Sequence, residues 1–458
     1  MNFLDLKHRI RCNRKGRDTV FAGREKELAK MQQQYQQEEN SIVILYGREG
    51  IGKTSFLKKF VEDKPFVYYQ AREWSEAEQN RYFDDKKEEL LGKLAQTNEK
   101  ICFIVDEFDL MQKGYKNFFS DFSRFVASFP ETRVLLILSS SSVQWVENSM
   151  VDTMGELAAQ IGTFIKLKEF TFMEMVDRFP ESTTEECILM YSILGGVPAY
   201  LDLWNPKETV RKNIIRTILD PKGAMHKEAG RFLKTSLREL PYYNTILSVL
   251  AEDEPKLNYL YKRTGFSRAK ISVYIKNLIQ LDVAAKIFSY EPAKKASIQK
   301  GLYGITDSYL QFYFKMIYPH LSELNILEPE EFYARYIKNR LDEVVNKTYI
   351  KVCREFLELM NQFNRLPSKF GNFGSLYGKH GFIPLIAGNE KGELLVGSCK
   401  WSNKPMGMSE FQQLLKDMEQ TGKEADYYYL FSKEGFTTEL AAMVQNMDNI
   451  QCIDKEML

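Results

Sequence analysis

The run GREGIGKT, Gly47 to Thr54, places glycines, a lysine and a threonine at the spacing G-x-x-x-x-G-K-[ST]. Its chemistry is phosphate binding. Gly47, Gly50 and Gly52 let successive backbone N–H groups turn inward on an anion, Lys53 neutralises its outer charge, and Thr54 offers a hydroxyl to Mg²⁺. Arg48, Glu49, Ile51 and Ser55 complete the cradle. A second candidate is ICFIVDEFD, an apolar run ending in carboxylates, whose Asp106 lies 53 residues beyond Lys53. Asp106 is expected in the Mg²⁺ shell, and Glu107 is expected to orient or deprotonate an attacking water. The run LLILSS brings Ser139 to Ser142 to a strand end, where a hydroxyl meets the terminal phosphate or the water, and Ser139 is the assignment. The alternatives to these readings are an ordinary Gly-rich turn, a buried strand capped by solvated acids, and serines with no chemical part.

Such groups must be held by a scaffold, and the pattern around them supplies one. SIVILYG, PFVYYQA, ICFIVDEFD and RVLLILSS read as short buried strands, separated by a helix from Lys53, a polar helix to about Gln96 and a helix near Tyr115 to Phe129. This is an α/β series, a parallel sheet with helices on both faces. IKLKEF, residues 165 to 170, is the expected fifth strand, and a helical lid follows through LGGVPAYL. From Tyr242 to Tyr290 the order helix, helix, Gly-containing turn, helix and hairpin predicts a winged helix-turn-helix. Beyond a boundary near Ser322 to Glu331, the pattern predicts a long helix from Phe332 to Phe363, three strands, a helix at MSEFQQLLKDMEQ, the strand DYYYLFS and a final helix. The resulting division is 1–175, 176–240, 241–321 and 322–458.

The chain has 458 residues, enough for about three domains. With 63 Lys+Arg against 62 Asp+Glu and 44% hydrophobic residues, it is neither polybasic nor compositionally disordered, so a nucleic-acid surface must be local. Six widely separated cysteines and four histidines form no zinc or disulfide framework, and a reducing cytoplasm is expected. No apolar run reaches the ~20 residues of a membrane span, and the amino terminus has no signal-peptide core, so no membrane partner is expected.

FAGREKEL, the phosphate loop, VDEFD, LILSSSSV, LGGVPAYL and GLYGITDSYLQFYF, in that order, resemble the archaeal-type ATPase family, part of the STAND class of P-loop ATPases related to AAA+ proteins. The resemblance covers nearly the whole chain. It implies ATP and Mg²⁺ as ligands, with Phe21, Gly23 and Arg24 beside the adenine. It also implies that Gly195, Gly196 and Pro198 form the motif with which the lid meets the nucleotide. One departure is the absence of arginine from Val134 to Asp177, where family members often carry a charge-stabilising one.

The last segment resembles the family's nuclease-like αβββαβ module of the PD-(D/E)xK type. Laid over this sequence, the two carboxylate positions of active members fall on Pro384 and Ser398, and only Lys400 is kept. Neither replacement offers a carboxylate to a metal. Glu343 is read as a surface glutamate, with a leftover metal ligand as the alternative, and Glu390 and Glu393 as solvent-facing turn residues. In the winged helix, Arg268, Lys270 and Lys276, with Lys262, Arg263, Lys294, Lys295 and Lys300, form a candidate duplex-DNA face, weighed equally against a solvated basic face on a winged helix that packs against the ATPase or a partner, a protein or a second copy. A further basic run, Lys7 to Arg17, reads as a flexible arm. The expected function is a cytoplasmic ATP hydrolase that acts as a nucleotide-dependent switch. The alternatives are a DNA-processing nuclease under ATPase control and a DNA-binding regulator that retains nucleotide without turnover.

Overall fold

The computed structural model describes residues 23–114, 118–129, 133–252, 255–290, 301–377 and 381–458. Among these, the chain forms two compact units: one holds the chain up to 170 together with 197–202, and the other holds 171–196 and 203–458. The four segments read from the sequence are a finer division, taken up below as part of a proposal.

In the first unit α1 (Glu25–Gln36) precedes β1 (Ser41–Tyr46), α2 (Lys53–Phe60), β2 (Phe66–Gln70), α3 (Glu76–Gln96), β3 (Ile101–Asp106), α4 (Phe118–Ala127), β4 (Val134–Ser140) and β5 (Ile161–Lys166). The strands are all parallel, in the order β2-β3-β4-β1-β5. The central strands β1, β3 and β4 are buried at nearly every position and apolar along most of their length because each face packs against a core. Ile42 and Ile44 of β1, Phe103 and Val105 of β3, and Leu136 and Leu138 of β4 point into one cluster with Phe83, Phe118 and Phe122. Val43, Leu45, Cys102, Ile104, Leu135 and Ile137 point into the other, against Phe56, Leu57 and Phe60 of α2.

The fifth strand corrects the sequence expectation. It runs from Ile161 to Lys166 and not from 165 to 170, in register with β1 from Ile42 to Tyr46. As an edge strand it alternates between exposed and covered positions, so its first half lacks a continuous apolar run. The ladder closes when Leu167 N–H donates to Tyr46 O at 2.8 Å. Beyond it, Lys168 O is taken by the Arg24 guanidinium at 2.6 Å.

The second unit opens with helices that include α5 (Thr184–Leu194), whose residues Cys187, Ile188 and Met190 to Leu194 are all buried. Farther on come α7 (Leu240–Glu252), α8 (Leu257–Thr264), α9 (Arg268–Gln280) and the antiparallel pair β6 (Ala284–Ile287) and β7 (Leu302–Ile305), in the order expected. Lys294, Lys295 and Lys300 lie outside the described residues, as do Phe21 and the run Lys7 to Arg17.

The last sheet is built from β8 (Gly371–Tyr377), β9 (Phe382–Gly388), β10 (Leu394–Lys400), β11 (Tyr427–Ser432) and β12 (Ile450–Asp454), in the order β12-β11-β10-β9-β8. The strand β12 is absent from the sequence reading, because IQCID is short and its apolar residues Ile450 and Ile453 break a period of two. The expected long helix is also divided. Regular α-helix, α10, begins only at Leu341 and runs to Gln362, because Tyr333–Ile337 forms a π turn closed by Lys338 N–H on Tyr333 O at 2.9 Å. One face of the sheet meets α11 (Met408–Glu419) through Phe411, Leu414 and Met418. Phe356 of α10 packs edge-on against Phe431 of β11, with ring centroids 5.9 Å apart.

Candidate nucleotide site

Between β1 and α2 the chain turns back on itself within six residues. Gly47 N–H is tied to Ser140 O at 3.3 Å, and a Cβ built on Gly47 would lie 2.5 Å from Leu167 O, so only glycine fits there. Gly50 has φ +79°, a left-handed conformation, and its O accepts from Ala199 N–H at 3.1 Å. Ala199 belongs to α6 (Pro198–Leu201), which packs on the loop through Pro198, 3.7 Å from the Cβ position of Gly52. Arg48 donates to Tyr200 Oη at 2.9 Å. Glu49, Thr54 and Ser55 are exposed on the rim, whereas Ile51 is buried. No side chain caps the first turn of α2, so its leading N–H groups are left to the loop.

Lys53 is 6% exposed and folds back to place Nζ 3.1 Å from Gly47 O and 2.5 Å from Ser141 Oγ. Its ammonium also lies 3.5 Å from Glu107 Oε1. Glu107, one residue past the end of β3, has φ +52°, an uncommon value for a residue with a side chain. That conformation turns its carboxylate toward Ser141, whose Oγ donates to Oε1 at 2.5 Å and whose N–H donates to Oε2 at 2.9 Å. Asp106 is 1% exposed. Its Oδ1 accepts from Ser139 Oγ and, at 3.1 Å, from Glu107 N–H; its Oδ2 accepts from Tyr68 Oη at 2.6 Å and from Thr54 Oγ1 at 3.3 Å.

The fold therefore brings Lys53, Thr54, Asp106, Glu107 and the serine strand to one end of the sheet. Ser139 is fully buried and donates to Asp106; Ser141, one residue past the end of β4, is the hydroxyl that meets Lys53 and Glu107. Ser141 lay within the serine run that the sequence singled out. Tyr68 and Tyr200 carried no sequence signal, since each lies in an element that reads only as a strand or a helix. Gly23 has φ +93° and leads to Arg24, which is buried over the Phe170 ring at 4.7 Å and donates to Ile51 O at 3.3 Å.

Residues 21–93 match a family described as an ATPase domain predominantly from Archaea, and the stretch contains the whole loop and α2. Over that stretch the chain is similar to this ATPase domain. Residues 313–415 match a second family, archaeal and bacterial proteins of unknown function. An uncharacterized protein of Methanocaldococcus jannaschii is 26% identical over 358 residues, 75% of this chain and 78% of its own length. An uncharacterized ATP-binding protein of the same organism is 38% identical over 45 residues, 10% of this chain and 76% of its own length. The Walker-type ATPase of Pyrococcus abyssi superposes with a TM-score of 0.47 at 17% identity, covering 65% of this chain and 96% of that one.

Away from the nucleotide site the candidate DNA face changes character. Arg268 and Lys276 of α9 are exposed, Arg268 lying over the Tyr261 ring at 5.6 Å. Lys270 instead points onto Tyr242, 3.1 Å from the ring centroid, with Phe266 and Tyr274 at 5.5 and 5.8 Å. Arg263 is paired with Glu252 at 3.0 Å. An ammonium set beside three rings is held by cation–π attraction. In the last sheet, Lys400 Nζ lies 2.5 Å from Glu410 Oε1 and 2.9 Å from Pro405 O. Glu343 is bound by Arg340 at 3.0 Å and lies 3.6 Å from Lys315. Among the described residues no group of three or more His, Cys, Asp or Glu side chains is placed to hold a metal, and no helix is long and apolar enough to cross a membrane.

Proposed function

We propose that the protein is an ATP hydrolase that works as a STAND-type nucleotide-dependent switch. The observation that carries the reading is the meeting of the two motifs: Lys53 Nζ lies 3.5 Å from Glu107 Oε1 while Thr54 Oγ1 lies 3.3 Å from Asp106 Oδ2. The loop fits a phosphate chain on its own geometry, since the space beside Gly47 admits no Cβ and the leading N–H groups of α2 have no side-chain cap. Lys53 and the backbone from Arg48 to Thr54 would hold the phosphates, and Thr54 with Asp106 would hold Mg²⁺. Bound Mg²⁺·ATP supplies the phosphoanhydride to be cleaved and a metal charge to offset that of the phosphates. Glu107 orients and deprotonates the water, and Ser141 fixes the direction of its carboxylate. Turnover measured on the wild type and on Glu107→Gln tests this assignment, and an equal rate would refute it.

The switch reading rests on where α6 belongs. Its residues group with the phosphate loop, and Gly195 and Gly196 join it directly to α5 of the other unit. Within that unit, Glu185 at the start of α5 lies 2.9 Å from both Lys433 and Lys455, which follow β11 and β12. In this reading a change in the loop is carried along the chain from α6 through Gly195 and Gly196 to α5. In this reading 1–175 is the ATPase domain, 176–240 the lid, 241–321 a winged helix and 322–458 a degenerate nuclease-like module in the cytoplasm. Lys400, occupied by Glu410 with Pro384 and Ser398 at the carboxylate positions, supports loss of the nuclease chemistry. A second reading, a DNA-binding regulator, is favoured by the exposed Arg268 and Lys276, and the caged Lys270 favours a protein partner or a second copy at the same face.

A further inference from the structure

Asp106 is gripped from both neighbouring strands. β3 lies between β2 and β4, and each sends one hydroxyl to the carboxylate: Tyr68 from β2 to Oδ2 at 2.6 Å, and Ser139 from β4 to Oδ1. A carboxylate has about four lone-pair positions. Three are filled by groups that the fold holds in place: Tyr68 Oη, Ser139 Oγ and the backbone N–H of Glu107. The fourth faces Thr54 Oγ1, the longest contact at 3.3 Å and the one made by an exposed residue. A cation, or a water in its shell, therefore competes for that position alone.

Resting on the reading of Thr54 and Asp106 as the Mg²⁺ residues, we propose that Tyr68 is a positioning residue of the cation site, holding Asp106 so that Oδ2 faces Thr54. The ring is packed against the cluster containing Phe60, Val61, Cys102 and Ile104, so the hydroxyl has little freedom to follow a turning carboxylate. Mg²⁺ demands near-octahedral geometry, so a carboxylate released on one side loses cation affinity and leaves phosphate binding alone. Partners of metal ligands are commonly worth 10- to 100-fold in affinity.

The test is calorimetry of ATP binding to the full chain, in EDTA and across a MgCl₂ titration, for the wild type, Tyr68→Phe, Asp106→Asn and the double variant. Tyr68→Phe keeps the ring and removes only the hydroxyl. Its affinity in EDTA is expected to equal that of the wild type, while the Mg²⁺ concentration giving half the effect rises about tenfold. In the Asp106→Asn background the same change should have no further effect, because Tyr68 acts through that carboxylate. An unchanged Mg²⁺ titration for Tyr68→Phe, or a full tenfold rise in the Asp106→Asn background, overturns the proposal. Absence of ATP binding by the wild type overturns the functional reading and this proposal with it. Should Tyr68→Phe fail to fold, Ser139→Ala, which frees the carboxylate from the opposite strand, is expected to raise the Mg²⁺ requirement, and an unchanged requirement again overturns the proposal.

Discussion

Ser141 Oγ stands 2.5 Å from Lys53 Nζ and donates to Glu107 Oε1 at the same distance, so one hydroxyl joins the phosphate-loop cation to the acid beyond β3. The arrangement separates two tasks. Lys53 is a charge for the phosphates, and Glu107 is a base whose direction is set from the adjacent strand.

Lys53→Ala is expected to weaken ATP binding by about 10- to 150-fold, the loss of a charged hydrogen bond of ~1.5–3 kcal/mol. Glu107→Gln is expected to keep ATP bound while lowering turnover by ~100-fold or more, since the amide retains shape but accepts no proton. Titration calorimetry and a phosphate-release assay on the same samples check both.

Gly50→Ala places a Cβ 3.0 Å from that of Ala199, at φ +79°. The left-handed conformation alone costs ~1–2 kcal/mol for a residue with a side chain. A lower thermal midpoint and weaker ATP binding are expected together, because the loop and α6 share this contact.

Burial pushes the Glu410 carboxyl up, but the Lys400 ammonium, the Gly407 N–H and Ser409 outweigh it and hold the group at about 2, below its ordinary 4.5. A depressed carboxyl contributes stability that is present above pH 4.5 and lost as pH falls toward 2. The difference in thermal midpoint between the wild type and Glu410→Gln should be constant above about pH 5 and close below it.

Lys270→Met is expected to lower the thermal midpoint, through loss of a cation–π contact of ~0.5–2 kcal/mol, and to leave any retention of duplex DNA unchanged. Arg268→Glu combined with Lys276→Glu should abolish retention that falls steeply with salt. No retention by the wild type at low salt would assign the face to a protein partner.

Digestion of plasmid and oligonucleotide with Mg²⁺ or Mn²⁺, with and without ATP, is expected to yield no cleavage. Cleavage by the wild type that disappears in Lys400→Ala would restore the nuclease reading.

Most of the first sheet was legible because its strands are buried on both faces and read as continuous apolar runs, with the loop glycines and the paired acids marking their ends. The bounds of the edge strand β5, expected at 165–170, and the existence of the terminal β12 were not, because a strand covered on one side or limited to five residues leaves a weak pattern. The break before α10 was hidden because a single π turn adds one residue to one turn and carries no residue-type signal of its own.

By itself the sequence determined which residues are able to bind phosphate, hold a cation and take a proton, since Gly47 to Thr54, Asp106 and Glu107 are set by residue type and local spacing. Only the tertiary structure decided which serine meets Lys53, that Tyr68 and Ser139 hold Asp106 from two sides, that α6 packs on Gly50, and that Lys270 is enclosed by rings. The grip on Asp106 and the choice of serine are contacts between strands far apart in the chain, created by strand order and register. The α6–Gly50 and Lys270–Tyr242 contacts join a helix to a distant segment, and none of these leaves a mark on the spacing of nearby residues.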